Sequence, residues 1–320
     1  MNKQFPVLDL HCDTASEMLD GRSLYQNDGM LSIKKMREGA VFSQFFAIFI
    51  RLTEHKSPAE AHEHFLKIYS NFMEELDRNR EHIALARDAA GISALRTEGK
   101  IAAIITLEEG GILDSKPERL DELYGMGVRL ITLTWNHENC FGFPNTKKPE
   151  LMKKGLKPFG KEMVERMQEM GMIVDVSHLS DGGFWDVVKL SKKPFIASHS
   201  NARSIHYNIR NLTDEMLKAL ADAGGVTGIN FYHKFLGDDK TGSIEQMVAH
   251  IKHIRKVAGI DTIAMGSDFD GFEGPCELAD CSQFPLLTDA LFKAGFSDEE
   301  IEKICWKNAM RVIEQLTISK

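Results

Sequence analysis

The stretch MIVDVSHLSDGGFWDVVKLSKKPFIASHS, residues 172–200, holds two short β-rich runs, MIVDVS (172–177) and PFIAS (194–198), separated by a helical pattern over 181–190. A strand, a helix and a second strand at this spacing form a crossover unit. Such units are right-handed and lay their two strands parallel in one sheet. Each run is followed at once by a histidine, His178 and His199. Both imidazoles are therefore expected at the same edge of the sheet.

The same alternation extends in both directions. Further candidate strands are FPVLDL (5–10), 42–50, 101–107, 130–135, 225–230 and 262–267. Helical patterns run over 58–82, 116–125, 159–170, 213–223 and 243–257, with Gly125, Gly171, Gly224 and Gly259 as stops. Ser297 with Glu300 reads as a capping box for the last helix. Eight such strands predict an α/β protein built as a closed (β/α)8 TIM barrel. An open doubly wound sheet would need a glycine fingerprint after the first strand, and none follows it. Without internal repeats or linkers, one domain over residues 1–320 is the expectation. The long segment 136–158 is expected to cover the barrel mouth.

The totals narrow the class. Of 320 residues, 43% are hydrophobic and 27% charged, an ordinary soluble composition. A net charge of −8 argues against nucleic acid or an anionic membrane surface as the main partner. Lys147, Lys148, Lys153, Lys154 and Lys157 cluster locally and read as a solvated loop. No run approaches the ~18 apolar residues of a membrane span. The start, MNKQFPVLDL, lacks a leader pattern, and the end, EQLTISK, lacks an apolar anchor tail. Five scattered cysteines, Cys12, Cys140, Cys276, Cys281 and Cys305, read as reduced thiols. A cytoplasmic location follows as the expectation.

Polar side chains then fall at the carboxyl ends of the strands. Alternation puts Asp9, His11 and Asp13 on one face of the first strand, opposite Leu8, Leu10 and Cys12. His11 and Asp13 end that strand, Glu109 the third, His178 the fifth, His199 the sixth and Asp268 the eighth. Taken singly, each has an ordinary reading. Glu109 could start a helix, His178 and His199 could be hydrogen-bonded core histidines, and Asp268 could close an Asx-turn. Gathered at one barrel mouth, where active sites of this fold sit, six metal-competent side chains point to a shared metal site. They exceed the four ligands of a structural zinc and suffice for two ions with a bridging carboxylate. Paired divalent ions activate water and polarise a carbonyl, and a nearby carboxylate can carry the proton. The pattern points to metal-assisted hydrolysis.

The segments DLHCDT (9–14), LEEGGIL (107–113), ITLTW (131–135), VDVSHLS (174–180), SHSNARSIHYNIRN (198–211) and GSDFDG (266–271) carry a resemblance. In motif order and spacing, from residue 9 to about 312, the chain resembles the renal, or membrane, dipeptidase family of the amidohydrolase superfamily. The resemblance implies a di-zinc dipeptidase with a metal-dependent hydrolase barrel. It implies that His11 and Asp13 bind one zinc, that His178 and His199 hold the second, and that Glu109, rather than Glu108, bridges them. It makes Asp268 the proton carrier and Arg210 the group that receives the dipeptide's terminal carboxylate. On its own, Arg210 would read as a surface arginine after a turn. The resemblance also implies tolerance of a D-residue at the carboxyl side, and a homodimer.

The chain departs from the family at two places. Trp135 stands where mammalian members carry a histidine that steadies the tetrahedral intermediate, with Asn136 and His137 following it. Phe235 stands where they offer a tyrosine. Two rivals to the dipeptidase are therefore carried. One is another amidohydrolase, such as a deacylase or lactonase, acting on a small carboxylate-bearing substrate. The other is a non-catalytic metal-binding homologue.

Overall fold

Val7–Cys12 forms β1, Val41–Phe49 β2, Ile83–Leu85 β3, Ile101–Glu108 β4 and Val128–Thr132 β5. Ile173–Asp175 is β6, Ile196–Ala197 β7, Val226–Ile229 β8 and Ile263–Met265 β9. The structure, a computed structural model, describes residues 4–316. Residues 1–3 and 317–320, part of the terminal stretches read above for a leader and an anchor, lie outside them.

All pairings between these strands are parallel, and β2 pairs with β4 as well as with β1, which closes the ring through β9. The result is the expected closed eight-stranded (β/α)8 barrel. β3 is an addition that the sequence pattern did not suggest. It pairs with Ile101–Ala103 of β4, below the point where β5 takes over at Ile105. Three residues are too few to produce a periodicity.

Alternation along the strands sorts the apolar residues into two layers. Leu8, Phe45, Ile104, Leu130, Ile173 and Ile196 pack together and against Met310, Ile313 and Leu316 of the last helix, Asn308–Leu316. The intervening residues, among them Phe46, Ile105, Ile131 and Val174, pack with Phe65, Met163, Val187, Leu217 and Ile251 of the surrounding helices. Each large side chain so buried contributes about 1.5–3 kcal/mol. Ser57, Ser180, Thr213 and Ser243 cap the helices that follow them. Ser297 and Glu300 form the expected capping box. One helix stop moves: Glu118–Met126 ends at Gly127, whose φ of 102° is open to glycine, instead of at Gly125. Among the described residues no helix is long and apolar enough to cross a membrane.

Several strands end earlier than their apolar runs. The run 172–177 pairs over Ile173–Asp175, and 194–198 over Ile196–Ala197. The cause lies in side chains that take over backbone donors. Asp175 Oδ1 accepts the main-chain N–H of Ser177 (3.0 Å) and of Ser198 (2.8 Å). Asp9 does the same at the end of β9, accepting the N–H of Ser267 at 2.8 Å. Freed from the ladder, the chain turns sharply. Glu109, His178 and Asp268 have φ of 112°, 66° and 66°.

Candidate metal centre

These turns gather the strand-end side chains at the carboxyl mouth of the barrel. His11 Nε2 lies 3.4 Å from Asp13 Oδ2, 3.4 Å from Glu108 Oε2 and 3.7 Å from Asp268 Oδ1. Glu108 Oε1 lies 3.1 Å from His178 Nε2 and 3.5 Å from His199 Nε2. The last two nitrogens are 3.1 Å apart. Two groups of donor atoms, from His11, Glu108 and His199 and from His11, Asp13 and Asp268, each fall within 4.8 Å of one another.

Glu108 therefore occupies the position expected of Glu109, and that expectation is corrected. Glu108 is the last residue of β4, in phase with Ala102 and Ile104 of the inner layer. Glu109 has left the strand. Its Oε1 accepts the Gly111 N–H (2.8 Å) and the Asn139 amide, and its Oε2 accepts the Trp135 N–H at 3.3 Å. Glu109 thus ties the start of the 136–158 segment to the β4 end. Asp9, grouped with His11 by strand alternation, is engaged deeper in the barrel by Ser267 Oγ (2.6 Å) and Gln44 Nε2 (3.0 Å).

The cluster is out of water, with His11 wholly buried, Glu108 at 3% exposure and Asp268 and His178 at 8%. His11 Nδ1 and Nε2, Asp13 Oδ1 and Glu108 Oε1 are buried without a hydrogen-bond partner among the described residues. Buried polar atoms left so are costly. Converging imidazole and carboxylate donors without protein partners fit divalent cations of the zinc type.

Charge follows the same geometry. Burial alone would lower the pKa of His11, but Glu108 and Asp13 hold it well above the usual imidazole value. Burial would raise Glu108, and the His11 charge, with the His178 and His199 rings close by, holds it well below the usual range. Burial pushes Asp13 up to about 7 and Asp268 up to about 6, with the Glu108 charge adding to both. Burial lowers His178 to about 4, with the Arg210 charge acting in the same sense.

Asp268 is held by a residue that the motifs did not single out. Asn230, just after β8, donates to Asp268 Oδ2 at 2.8 Å. Gly271 closes the same turn, and a Cβ there would lie 2.1 Å from Asp13 Oδ2 and 2.6 Å from Asp268 Oδ1. Arg210 is buried, not on the surface. Nη1 donates to Ser200 Oγ (3.1 Å), Nη2 to the His199 carbonyl (3.2 Å), and Nε has no partner among the described residues. Its guanidinium lies 5.4 Å from the Phe235 ring centre.

Above the cluster opens a cleft of about 580 Å³. Asp13, Glu108, His178 and Asp268 line its floor, Phe49, Arg51, Trp135 and Asn136 one wall, and Tyr232, Phe235 and Phe272 another. Trp135 packs on Phe49 with ring centres 4.8 Å apart and lies under Arg51. Asn136 Oδ1 lies 3.0 Å from His178 Nδ1. His137 packs against Trp135, ring centres 5.8 Å apart, and is not among the residues lining the cleft.

A parallel barrel whose mouth gathers three histidines and three carboxylates has the make-up of a metal-dependent hydrolase. The family model for membrane dipeptidases (peptidase family M19) matches residues 1–320, and the chain belongs to that family. It is a metal-dependent dipeptidase of this group. Over 297 residues it is 35% identical to an uncharacterized dipeptidase of Schizosaccharomyces pombe, covering 87% of this chain and 70% of the relative. A solved M19 metallopeptidase, dipeptidase AC, superposes with a TM-score of 0.89 at 26% identity, covering 98% of this chain and 99% of that one. A metallopeptidase of Rhodobacter sphaeroides, solved with a phosphinate mimic of the dipeptide L-Ala-D-Ala, gives 0.90 at 25% identity, covering 98% of this chain and all of the other.

Proposed function

We propose that this dipeptidase works with two zinc ions, held by His11, Asp13, Glu108, His178 and His199, with Glu108 shared between them. The observation that carries the reading is the two-sided placement of Glu108, one oxygen toward His11 and the other toward His178 and His199. Bound there, divalent ions supply a water of lowered pKa and polarise the scissile carbonyl.

The chain's own residues do the rest. Asp268, steadied at Oδ2 by Asn230, takes the proton of the attacking water on Oδ1 and passes it to the leaving nitrogen as the C–N bond breaks. Arg210 receives the substrate's terminal carboxylate; two of its nitrogens are engaged with the chain, and Nε faces no partner. Asn136, which lines the cleft beside His178, is placed to donate to the developing oxyanion in place of the histidine that Trp135 displaces. The ligand of the Rhodobacter sphaeroides relative supports acceptance of a D-residue at the carboxyl side. The reading includes a cytoplasmic homodimer, in keeping with five free cysteines and the family resemblance.

The test is elemental analysis combined with a small panel of L,L- and L,D-dipeptides. Two zinc ions per chain and chelator-sensitive cleavage of free dipeptides are expected. A chain that carries no metal, or cleaves none of the panel, would reject the reading.

A further inference from the structure

His11, His178 and His199 differ in what holds the second ring nitrogen. His11 Nδ1 has no partner, and His178 Nδ1 meets Asn136 at the exposed rim. His199 Nδ1 lies 2.7 Å from the Ser198 hydroxyl, which lies 2.6 Å from Asp175 Oδ2. All members of this chain of contacts are buried. We infer that Asp175, acting through Ser198, fixes His199 in the tautomer that leaves Nε2 bare, and that this relay sets how tightly the site holds its metal. The inference rests on the metal-centre reading proposed above.

Hydrogen-bond accounting leaves one arrangement. Asp175 Oδ1 is occupied by two main-chain N–H groups, from Ser177 and Ser198. Its Oδ2 faces two hydroxyls, Thr132 Oγ1 and Ser198 Oγ, each at 2.6 Å. A carboxylate offers only acceptors, so both hydroxyls must donate to it. The single proton of Ser198 is then committed, and its remaining lone pairs face His199 Nδ1. That nitrogen must carry the ring proton, which leaves Nε2 with a free lone pair. Nε2 is the atom that lies 3.1 Å from His178 Nε2 and 3.5 Å from Glu108 Oε1. The other tautomer would aim an N–H into the donor cluster.

The ring is also held from its backbone, because the His199 N–H donates to Ser177 Oγ at 3.1 Å. Asp175 and Ser198 are thus positioning residues. They are not among the residues lining the cleft, yet they set the orientation and basicity of a ligand. Partners of this kind typically contribute about 10–100-fold in metal affinity.

Two substitutions in the full-length, zinc-loaded enzyme test the relay, with zinc retention read against increasing chelator. Ser198→Ala removes the hydroxyl but leaves Asp175 its two main-chain donors and Thr132. Release of the zinc held by His199 is expected at about 10-fold lower chelator. Asp175→Asn keeps every heavy-atom position. The two main-chain N–H groups pin its amide oxygen, so its NH2 faces Ser198, whose own proton is then free to go to His199 Nδ1, which favours the reversed tautomer. A loss of about 100-fold is expected, the top of the range for such partners. Nitrogen-15 histidine spectra should show the Nδ1–H signal of His199 in the wild type and its loss in Asp175→Asn. If either variant folds, as judged by circular dichroism, and retains zinc like the wild type, the relay is wrong. Should Asp175→Asn fail to fold, Ser198→Ala decides alone. A wild-type enzyme that holds no zinc would instead defeat the metal-centre reading itself.

Discussion

Glu108 and Glu109 are adjacent in the chain, yet their carboxylates serve different surroundings. Glu108 lies 3.4 Å from His11 and 3.1 Å from His178, whereas Glu109 accepts the N–H groups of Gly111 and Trp135 and the amide of Asn139. Glu108→Ala should therefore lose at least one of the two proposed zinc ions, and Glu109→Gln should keep both. Glu109→Gln should instead lower stability by about 1–3 kcal/mol, the cost of leaving buried donors poorly matched. Elemental analysis and thermal unfolding of the two variants side by side check both halves. Normal zinc content in Glu108→Ala would undo the assignment.

Asp268→Asn should separate proton transfer from metal binding. Asn230 can still bond the amide oxygen, so the variant should fold and retain zinc, while kcat falls on the order of 10²-fold or more. In the wild type, burial pushes this carboxyl up to about 6. Bound dications favour its ionised form, so activity should fade on the acid side below about 6 as the carboxylate is protonated. Near-normal turnover in Asp268→Asn would move the proton work to another group.

Arg210 distinguishes a dipeptidase from a general deacylase. A free dipeptide should be cleaved, and its C-terminal amide should be nearly inert, because the amide gives up a charge-assisted bond worth about 1.5–3 kcal/mol. Arg210→Ala should slow the dipeptide and narrow the gap, and Arg210→Lys should recover part of the loss without the planar fork. Equal rates on acid and amide in the wild type would favour the deacylase rival.

Asn136 and His137 stand side by side in the loop after Trp135, but Asn136 lines the cleft and His137 does not. Asn136→Ala should lower kcat about tenfold or more with little change in KM, as for a contact made mainly in the transition state. His137→Ala should leave both within about twofold, in line with a side chain outside the cleft. Steady-state kinetics on one dipeptide suffices, and the reverse ranking would assign the role to His137.

His250 supplies a pH dependence outside the metal-competent cluster. It is fully buried, its Nδ1 accepts the Ala202 N–H, and its Nε2 donates to the Leu236 carbonyl. That pattern needs the neutral ring, and burial lowers the pKa from 6.5 to about 4. Between those values the unfolded chain binds more protons than the folded one. Stability is therefore complete above about 6.5 and is lost as pH falls toward 4. The lost contribution is on the order of 3 kcal/mol at low pH. Denaturant titrations at several pH values should show this slope, and His250→Gln should flatten it despite a lower plateau. An unchanged slope in the variant would assign the acid loss elsewhere.

What could be read from residue order alone was whatever depends on local pattern. Apolar runs alternating with capped helices specify parallel strands, and parallel strands bring His11, His178, His199 and Asp268 to one mouth whatever the details of packing. Choices that depend on contacts distant in sequence needed the tertiary structure. Whether Glu108 or Glu109 faces the cluster turns on a φ of 112° at Glu109, stabilised by bonds to Trp135 and Asn139, 26 and 30 residues onward. The early ends of β6 and β7 depend on Asp175 capturing the N–H of Ser198, 23 residues away. Asn230 carries no motif, and it meets Asp268 only because β8 and β9 lie side by side. Arg210 reads as a surface residue until the 201–210 segment folds back to set its guanidinium against Ser200 and the His199 carbonyl. In each case the deciding term is the satisfaction of a buried polar group, and its partner is chosen by proximity in space that sequence periodicity does not encode.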